Sequence, residues 1–219
     1  MSRASTDRTV PSHGVHQQAN LQPPTPLLVV ISGPSGVGKD AVIKRMRELQ
    51  YPFAFAVTAT TRPPREGEKH GVDYLFVSEE QFLDLLRRDE LLEHALVYGE
   101  YKGIPKEQVR LALESGQDVV LRLDVQGAAT VRRIIPDAIL IFLVASSEEE
   151  WLHRLRRRSL GKSEDLQRRI ATMREEMERL PEFDYVVVNR DGELDQAVET
   201  IAAIITAERC RTKRRVIRL

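Results

Sequence analysis

The stretch from Gly33 to Asp40 has the residues of a phosphate-binding loop. Gly33, Gly38 and Lys39 stand in the spacing G-x-x-x-x-G-K, directly after an apolar run. Glycines let the backbone turn sharply, so that successive N–H groups can converge on phosphate oxygens, and Lys39 adds a full positive charge. The helix that should begin near Gly38 brings its positive N-terminus to the same place. We therefore predict a phosphate site formed by Gly33, Pro34, Ser35, Gly36, Val37, Gly38, Lys39 and Asp40.

Asp40 occupies the position where this loop pattern usually has a Ser or Thr whose hydroxyl reaches Mg²⁺. A carboxylate is also a hard oxygen ligand for Mg²⁺, and its negative charge beside phosphates is favourable only when a cation is bound there. We predict that Asp40 contacts Mg²⁺, directly or through water. The alternative is that Asp40 only stabilises the start of the helix, where acidic residues are favoured.

Strand-like and helix-like segments alternate along the chain, which predicts an α/β fold with a central, mainly parallel sheet. Asp124 and Asn189 each follow an apolar run. Because the carboxyl ends of parallel strands form the edge at which ligands bind, we expect both residues near the phosphate loop. Residues 58–104 interrupt the alternation with short strands and loops, and we predict that this insert carries a second substrate.

The composition narrows the class of protein. A chain of 219 residues that is 42% hydrophobic can bury the core of one domain. Lys and Arg number 33 and Asp and Glu also 33, so no net charge draws the chain to nucleic acid or to an anionic membrane. Its single cysteine, Cys210, excludes an intramolecular disulfide and is compatible with a reducing compartment. We expect a cytoplasmic protein that binds neither nucleic acid nor membrane.

Both ends of the chain differ in composition from the middle. Residues 1–26 lack hydrophobic periodicity and are rich in Ser, Thr, Gln, His and Pro, which predicts a disordered tail, with a short organelle-targeting segment as the alternative. The basic cluster in residues 209–219 predicts a second, solvated tail. The folded domain should therefore span residues 27–208.

Four motifs together resemble the guanylate kinase family. They are Gly33-Pro34-Ser35-Gly36-Val37-Gly38-Lys39, Thr60-Thr61-Arg62-Pro63-Pro64-Arg65-Glu66-Gly67-Glu68, Gly71-Val72-Asp73-Tyr74 and Asp124-Val125-Gln126-Gly127-Ala128. The resemblance extends from about Leu27 to Glu208. It implies a P-loop NTPase fold with an inserted GMP-binding region and an arginine-rich lid at about 154–169. It also implies transfer of the γ-phosphoryl group of ATP to GMP with Mg²⁺, by a monomer or a homodimer.

The resemblance also assigns roles to residues. In that family the GMP phosphate is held by two loop arginines and a tyrosine, here Arg62, Arg65 and Tyr74. A guanidinium fork matches phosphate oxygens well, which agrees with this role. The guanine base is read by residues that correspond to Thr58, Glu93 and Asp124. Lys39 and the lid residues Arg154, Arg158 and Arg169 correspond to the catalytic cations, and Asn189 corresponds to a residue near adenine.

Two positions depart from the family pattern and two other functions stay open. Where the family usually has a hydroxyl residue after a glycine, this chain has Lys102-Gly103-Ile104, and Asp40 is the second departure. One alternative is a non-catalytic guanylate-kinase-like binding domain, although such domains typically lose the phosphate loop that is intact here. The other alternative is a P-loop kinase for a different small acceptor. A nucleic-acid patch on the lid is disfavoured because no aromatic residues are interleaved with its arginines.

Overall fold

The computed structural model describes residues 25–97, 99–158 and 163–219; the side chains of residues 97, 157–158 and 163–169 lie outside that description. The strands are β1 (Leu28–Ser32), β2 (Phe53–Phe55), β3 (Ala59–Thr60), β4 (Leu75–Phe76), β5 (Leu91–Val97), β6 (Glu100–Pro105), β7 (Asp118–Arg122), β8 (Ile139–Val144) and β9 (Tyr185–Val188). The helices are α1 (Lys39–Glu48), α2 (Glu79–Arg87), α3 (Lys106–Glu114), α4 (Val125–Ile134), α5 (Glu148–Arg158), α6 (Ser163–Glu178) and α7 (Leu194–Arg209).

The central sheet has the strand order β2-β7-β1-β8-β9, and its recorded pairings are all parallel. Strand β1 lies in the middle, where Val29 pairs with Val120 on one side and with Ile139 on the other. All residues of β1 are buried, as expected for an apolar strand covered on both faces. The predicted α/β architecture with a central parallel sheet is therefore confirmed.

Alternate residues of β1 enter two different cores. Val29 and Ile31 pack with the buried faces of α1, α5 and α7, whereas Leu28 and Val30 pack with those of α3 and α4. The sheet is thus covered on both sides, and its carboxyl edge stays open for ligands. None of the helices in the described ranges is long and apolar enough to cross a membrane.

The insert folds as a second sheet of four strands in the order β4-β3-β6-β5. The strand that the sequence predicts over 72–77 is shorter, because residues 71–73 form a turn in which the Gly71 N–H donates to the Tyr74 carbonyl over 2.9 Å. Ser78 followed three residues later by Gln81 predicts a capping box at the start of a helix, and α2 begins with one, in which Ser78 and Gln81 bond each other's backbone N–H groups. Ile104, one of the family departures, is fully buried and packs in the core, so its apolar side chain is structural.

Glu208 anchors part of the C-terminal segment. It is 2% exposed and accepts hydrogen bonds from the Tyr185 hydroxyl over 2.5 Å and from Arg215 Nε over 2.7 Å. Residues 211–214 are exposed, as expected for a solvated cluster, but the prediction is wrong for Arg215, whose side chain is largely buried in this network. An ion pair with a buried acid explains why this arginine leaves the solvent.

The Glu208 network makes a testable contribution to acid stability. Burial acts to raise the pKa of Glu208, but the bonds from Arg215 and Tyr185 outweigh it and hold the pKa at about 2. A pKa below the ordinary value of 4.5 contributes stability above that value, which is lost as the pH falls towards about 2. We expect Glu208→Gln to lower Tm at neutral pH, and this deficit to shrink over that acidic window. Glu199→Gln, an exposed change on the same helix, should show no such deficit in the same thermal melts.

Candidate functional site

The loop between β1 and α1 has the backbone of a phosphate cradle. Gly33, Gly36 and Gly38 have φ angles of 131°, 91° and 99°, which other residues rarely adopt. A Cβ on Gly33 would also lie 2.2 Å from the Leu143 carbonyl oxygen. Lys39 Nζ donates to the carbonyls of Gly33 and Pro34, and burial lowers its pKa although nearby acids oppose that shift. These two bonds hold the Lys39 ammonium across the phosphate loop.

Three side chains from distant elements hold the loop in place. Trp151 Nε1 donates to the Ser35 carbonyl over 2.6 Å, and Asn189 Nδ2 donates to the Val37 carbonyl over 2.8 Å. Arg154 Nη1 reaches the same Val37 carbonyl over 3.2 Å. The sequence predicted Arg154 and Asn189 near the nucleotide but did not identify Trp151, which reads as an ordinary core residue of α5.

A cleft of about 380 Å³ opens beside the loop on the side of Arg154 and Asn189. Its lining comprises Gly36, Gly38, Ala41, Arg154, Asn189, Arg190, Asp191, Gly192 and Leu194. Arg154 also pairs with Glu150 and donates to the Asn189 carbonyl over 2.9 Å, which fixes its guanidinium at the rim. Arg158 and Arg169 belong to α5 and α6, but their side chains lie outside the described residues.

An acid from α6 contacts the loop as well. The Ser35 N–H donates to Glu176 Oε2 over 3.3 Å, and burial raises the pKa of this carboxyl although the charge of Lys39 opposes the shift. The carboxylate oxygen thus binds a loop N–H in the way a phosphate oxygen could. Nothing in the local pattern around Glu176 predicts this contact, because the two residues are 141 positions apart.

Asp40 lies in the first turn of α1 and pairs with an arginine that the sequence analysis did not single out. Arg122 Nη1 is 2.5 Å from Asp40 Oδ1. Gly38 is the N-cap of α1. Asp40 thus has a cationic side chain from the end of β7 as a partner.

Arg62 is the centre of a cluster of side chains in the insert. This arginine is 7% exposed, and its two terminal nitrogens each lie 2.9 Å from one oxygen of Glu68. Its guanidinium also lies 5.0 Å from the centre of the Tyr74 ring. Glu68 further accepts the backbone N–H of Arg65 over 2.7 Å, while the Arg65 side chain is exposed. The structure therefore brings the predicted Arg62 and Tyr74 into contact and joins Arg65 to them through its backbone N–H, which donates to Glu68. The sequence motif had assigned no role to Glu68.

Glu93 lies on β5 and is buried beside the start of α4. It is 6% exposed, and a Cβ on Gly127 would lie 2.9 Å from Glu93 Oε1, so a larger residue there would force this carboxyl to move. Asp124 caps α4 by accepting the Gly127 N–H over 2.8 Å. Burial, followed by the charge of Asp124, raises the pKa of Glu93 to about 8. Thr58 is 8% exposed and directly precedes β3.

The loop, Asp124 and Asn189 all lie at the carboxyl edge of the central sheet, as the order of elements predicted. Asp124 is close enough to both Lys39 and Glu93 for its charge to affect their pKa values. Within the part of the chain that the structure describes, no group of three or more His, Cys, Asp or Glu side chains could hold a metal ion. The site thus combines the phosphate loop, the cations Lys39, Arg62 and Arg154, and the buried acid Glu93.

Comparisons with known proteins agree on one family. Residues 25–208 match the family model described as guanylate kinase. A rice protein (Oryza sativa subsp. japonica) named guanylate kinase 2, chloroplastic/mitochondrial, is 54% identical over 198 residues, which are 90% of this chain and 70% of that protein. A guanylate kinase of Caldanaerobacter subterraneus is 44% identical over 188 residues, 86% of this chain and 90% of that protein. The crystal structure of guanylate kinase from Anaplasma phagocytophilum has a TM-score of 0.69 at 30% identity and covers 88% of this chain and 90% of that one.

Proposed function

The chain belongs to the guanylate kinase family and transfers the γ-phosphoryl group of ATP to GMP, giving ADP and GDP; we propose the role that each site residue has in this reaction. The observation that carries the proposal is an intact phosphate loop at the carboxyl edge of the central sheet, together with Arg62 bound by Glu68 in the insert and Glu93 buried against α4. Such a reaction needs little covalent help from the protein, because orientation and electrostatic stabilisation supply most of the catalysis.

On the donor side, the N–H groups of residues 33–40 and the Lys39 ammonium bind the ATP phosphates, and the cleft beside Arg154 takes the nucleoside. Asn189 acts there through the loop, since its amide is bonded to the Val37 carbonyl. Arg154, Arg158 and Arg169 stabilise the charge on the transferring oxygens when the lid closes. Closure also excludes water, which would otherwise hydrolyse ATP.

Mg²⁺ is the cofactor that we propose to accompany ATP. When bound it neutralises phosphate charge, and it commonly keeps several waters while using one or two carboxylates. Asp40 fits a contact through water better than direct ligation, because Arg122 already engages its Oδ1. No denser acidic cluster is available among the described side chains.

On the acceptor side, Arg62, Arg65 and Tyr74 bind the GMP phosphate. Glu68 binds both terminal nitrogens of Arg62 in this structure. It thereby fixes the guanidinium in the orientation in which it binds a phosphate in place of the carboxylate. Glu93 accepts the N1–H and the 2-amino group of guanine, and Thr58 and Asp124 complete the base pocket. This division keeps the phosphate and the base of GMP on different residues of the insert and of α4.

Replacing Arg62 with alanine should raise KM for GMP or lower kcat by about 10- to 150-fold, because a charge-assisted contact is worth about 1.5–3 kcal/mol. Arg65→Ala should act in the same direction. ATP affinity, measured by calorimetry without GMP, should stay within about threefold. Arg87→Ala, an exposed change on α2 of the same insert, is the control and should leave all these constants unchanged. A fall in ATP affinity in the Arg62 variant would show that the loop was assigned to the wrong substrate.

The domain limits, location and assembly of the protein are also proposals. We propose a catalytic domain over residues 27–208 with the insert at about 58–104 and the lid at about 154–169, acting as a monomer or a homodimer. We propose the cytoplasm as its location, with an organelle as the alternative that the name of the rice relative supports. Imaging of full-length and 27–219 fusions separates these locations, and light scattering gives the assembly.

The reaction itself is tested by an acceptor panel. ADP formation from ATP is measured with GMP, AMP, CMP, UMP or no acceptor. GMP should support turnover far above the others, and the rate without acceptor should be small because the open site must close first. Equal rates with several acceptors would favour the broader P-loop kinase, and no turnover with any would favour the binding domain.

A further inference from the structure

We infer that Arg122 is a catalytic residue that contacts the phosphoryl group as it passes from donor to acceptor, and that Asp40 is the positioning residue that holds it there. The inference rests on the proposed function and deepens it. It replaces the idea that Asp40 acts mainly on a metal ion with the idea that Asp40 acts mainly on a guanidinium.

The backbone places Arg122 between the two anion sites. It is the last residue of β7 and pairs in register with Ile31, two residues before the phosphate loop begins. From there its side chain reaches Asp40 at 2.5 Å on the donor side. On the acceptor side, its guanidinium carbon lies 4.9 Å from the centre of the Tyr74 ring. One cation thus touches an element of each half of the site.

The charges around Arg122 point to an anion between them. Arg62 lies 5.0 Å from the same Tyr74 ring, so two guanidinium groups converge on one phenol. The charge of Arg122 also acts to lower the pKa values of Lys39 in the loop and Lys102 in the insert, after the larger effect of burial in each case. Asp40 and Glu68 each offset one of these two charges, and the remaining N–H donors of both guanidinium groups can bind a further anion. A phosphoryl group in transfer is such an anion.

Each of the two guanidinium groups has its own acid. Glu68 binds Arg62 from the insert, and Asp40 binds Arg122 from the first turn of α1. A carboxylate that holds one edge of a guanidinium leaves the remaining N–H donors directed elsewhere in a fixed orientation. Because Asp40 directly follows Lys39 in α1, its bond holds Arg122 next to the phosphate loop.

A purely structural ion pair is the competing interpretation, and the chain offers a matched control for it. Arg45 and Asp195 pair at 2.6 Å with side chains 32% and 56% exposed, against 2.5 Å and 21% and 55% for Arg122 and Asp40. Exposed pairs of this kind contribute about 0–1 kcal/mol to stability. If Arg122 were only structural, its loss should resemble the loss of Arg45.

The experiment compares five variants with wild type. They are Arg122→Gln, Arg122→Lys, Asp40→Asn, the double variant that combines Arg122→Gln with Asp40→Asn, and Arg45→Gln. We measure kcat, the separate affinities for ATP and GMP, and the affinity for a compound that joins adenosine and guanosine through five phosphates. Arg122→Gln should lower kcat and weaken binding of the joined compound by about 100- to 1,000-fold, because one preorganised donor to transition-state charge is lost. ATP and GMP alone should bind within about threefold of wild type, since neither by itself brings the phosphoryl group to Arg122.

The other variants decide how Asp40 and Arg122 are related. Arg122→Lys keeps the charge without the fork and should fall between wild type and Arg122→Gln. Asp40→Asn should lower kcat less than Arg122→Gln, and the double variant should match Arg122→Gln alone, as expected when one residue acts through the other. Additive effects would remove Asp40 from the positioning role.

Two results would overturn the inference. In the first, Arg122→Gln behaves like Arg45→Gln in kcat and in binding the joined compound, and the pair is then structural. In the second, excess Mg²⁺ restores the kcat of Arg122→Gln, and the pair then acts through the metal. A wild-type enzyme inactive on GMP would instead refute the proposed function, so the two failures are distinguishable.

Discussion

Replacing Lys39 with alanine is expected to lower kcat by more than about 100-fold, which is the largest single effect we predict. The ammonium is a full charge at the group being transferred, and removal of one such preorganised interaction costs about 10²–10³ in rate. In the structure Lys39 bonds the Gly33 and Pro34 carbonyls, so the variant also loses two contacts that shape the loop. Steady-state assays with saturating ATP and GMP measure the effect.

The loss of activity in Lys39→Ala supports the assignment only when the variant is shown to be folded. Circular dichroism and Tm of Lys39→Ala should remain near those of wild type, because the side chain lies at the loop and not in the apolar core. Lys39→Met keeps the alkyl stem and should be equally inactive. Lys44→Ala removes an exposed lysine from the same helix and should change kcat by less than about twofold. Near-normal turnover in both Lys39 variants would end the assignment of the phosphate loop.

The second large effect concerns the choice of base, which we assign to Glu93. Guanine presents an N1–H and a 2-amino group side by side, whereas adenine offers an acceptor at N1. An ionised carboxylate carries only acceptors. A site that hydrogen-bonds a substrate N–H can reject the analogue without it by about 10⁴–10⁵. Glu93→Gln should therefore cut kcat/KM for GMP by at least about tenfold and narrow the gap between GMP and AMP, because the amide can donate to adenine N1.

The raised pKa of Glu93 adds a dependence on pH. Burial and Asp124 bring this pKa to about 8 in the free protein, so near neutral pH the carboxyl is largely protonated. Guanine selects the ionised form, and its binding should release a proton from Glu93. Affinity for GMP should thus rise as the pH increases towards about 8 and level off above it. The protonated form can donate to adenine, so the preference for GMP over AMP should weaken at lower pH.

Calorimetry in buffers of different ionisation enthalpy measures the released proton directly. Glu93→Gln has no carboxyl to titrate and should lack the proton release assigned to Glu93. The GMP phosphate still titrates in this variant, so the difference from wild type isolates the contribution of Glu93. Glu90→Gln, an exposed change in the same insert, should behave as wild type. Equal GMP kinetics in wild type and Glu93→Gln would refute the assignment and would leave guanine to Thr58, Asp124 or backbone groups.

The phosphate loop and the order of elements could be predicted from the sequence because both depend on neighbouring residues. The G-x-x-x-x-G-K spacing forms its cradle within a single turn, and apolar runs predict buried strands wherever they lie. For the same reason the cap formed by Ser78 and Gln81, three residues apart, was correctly predicted. Arg215 was predicted to be exposed because nothing in the sequence indicates that Glu208 is buried and pairs with it. Their ion pair forms only in the folded structure.

The partners that orient the site were decided only by the tertiary structure. Asp40 meets Arg122 across 82 positions of sequence, and Ser35 meets Glu176 across 141. These contacts exist because the strand order places β7 beside β1 and because α6 packs against the loop. Neither arrangement can be predicted from the spacing of neighbouring residues. The sequence by itself determined that a carboxylate directly follows the loop lysine, and it predicted Mg²⁺ as the partner of Asp40. Only the fold decided that Arg122 pairs with Asp40, because pairing between strands distant in sequence selects which side chains share that edge.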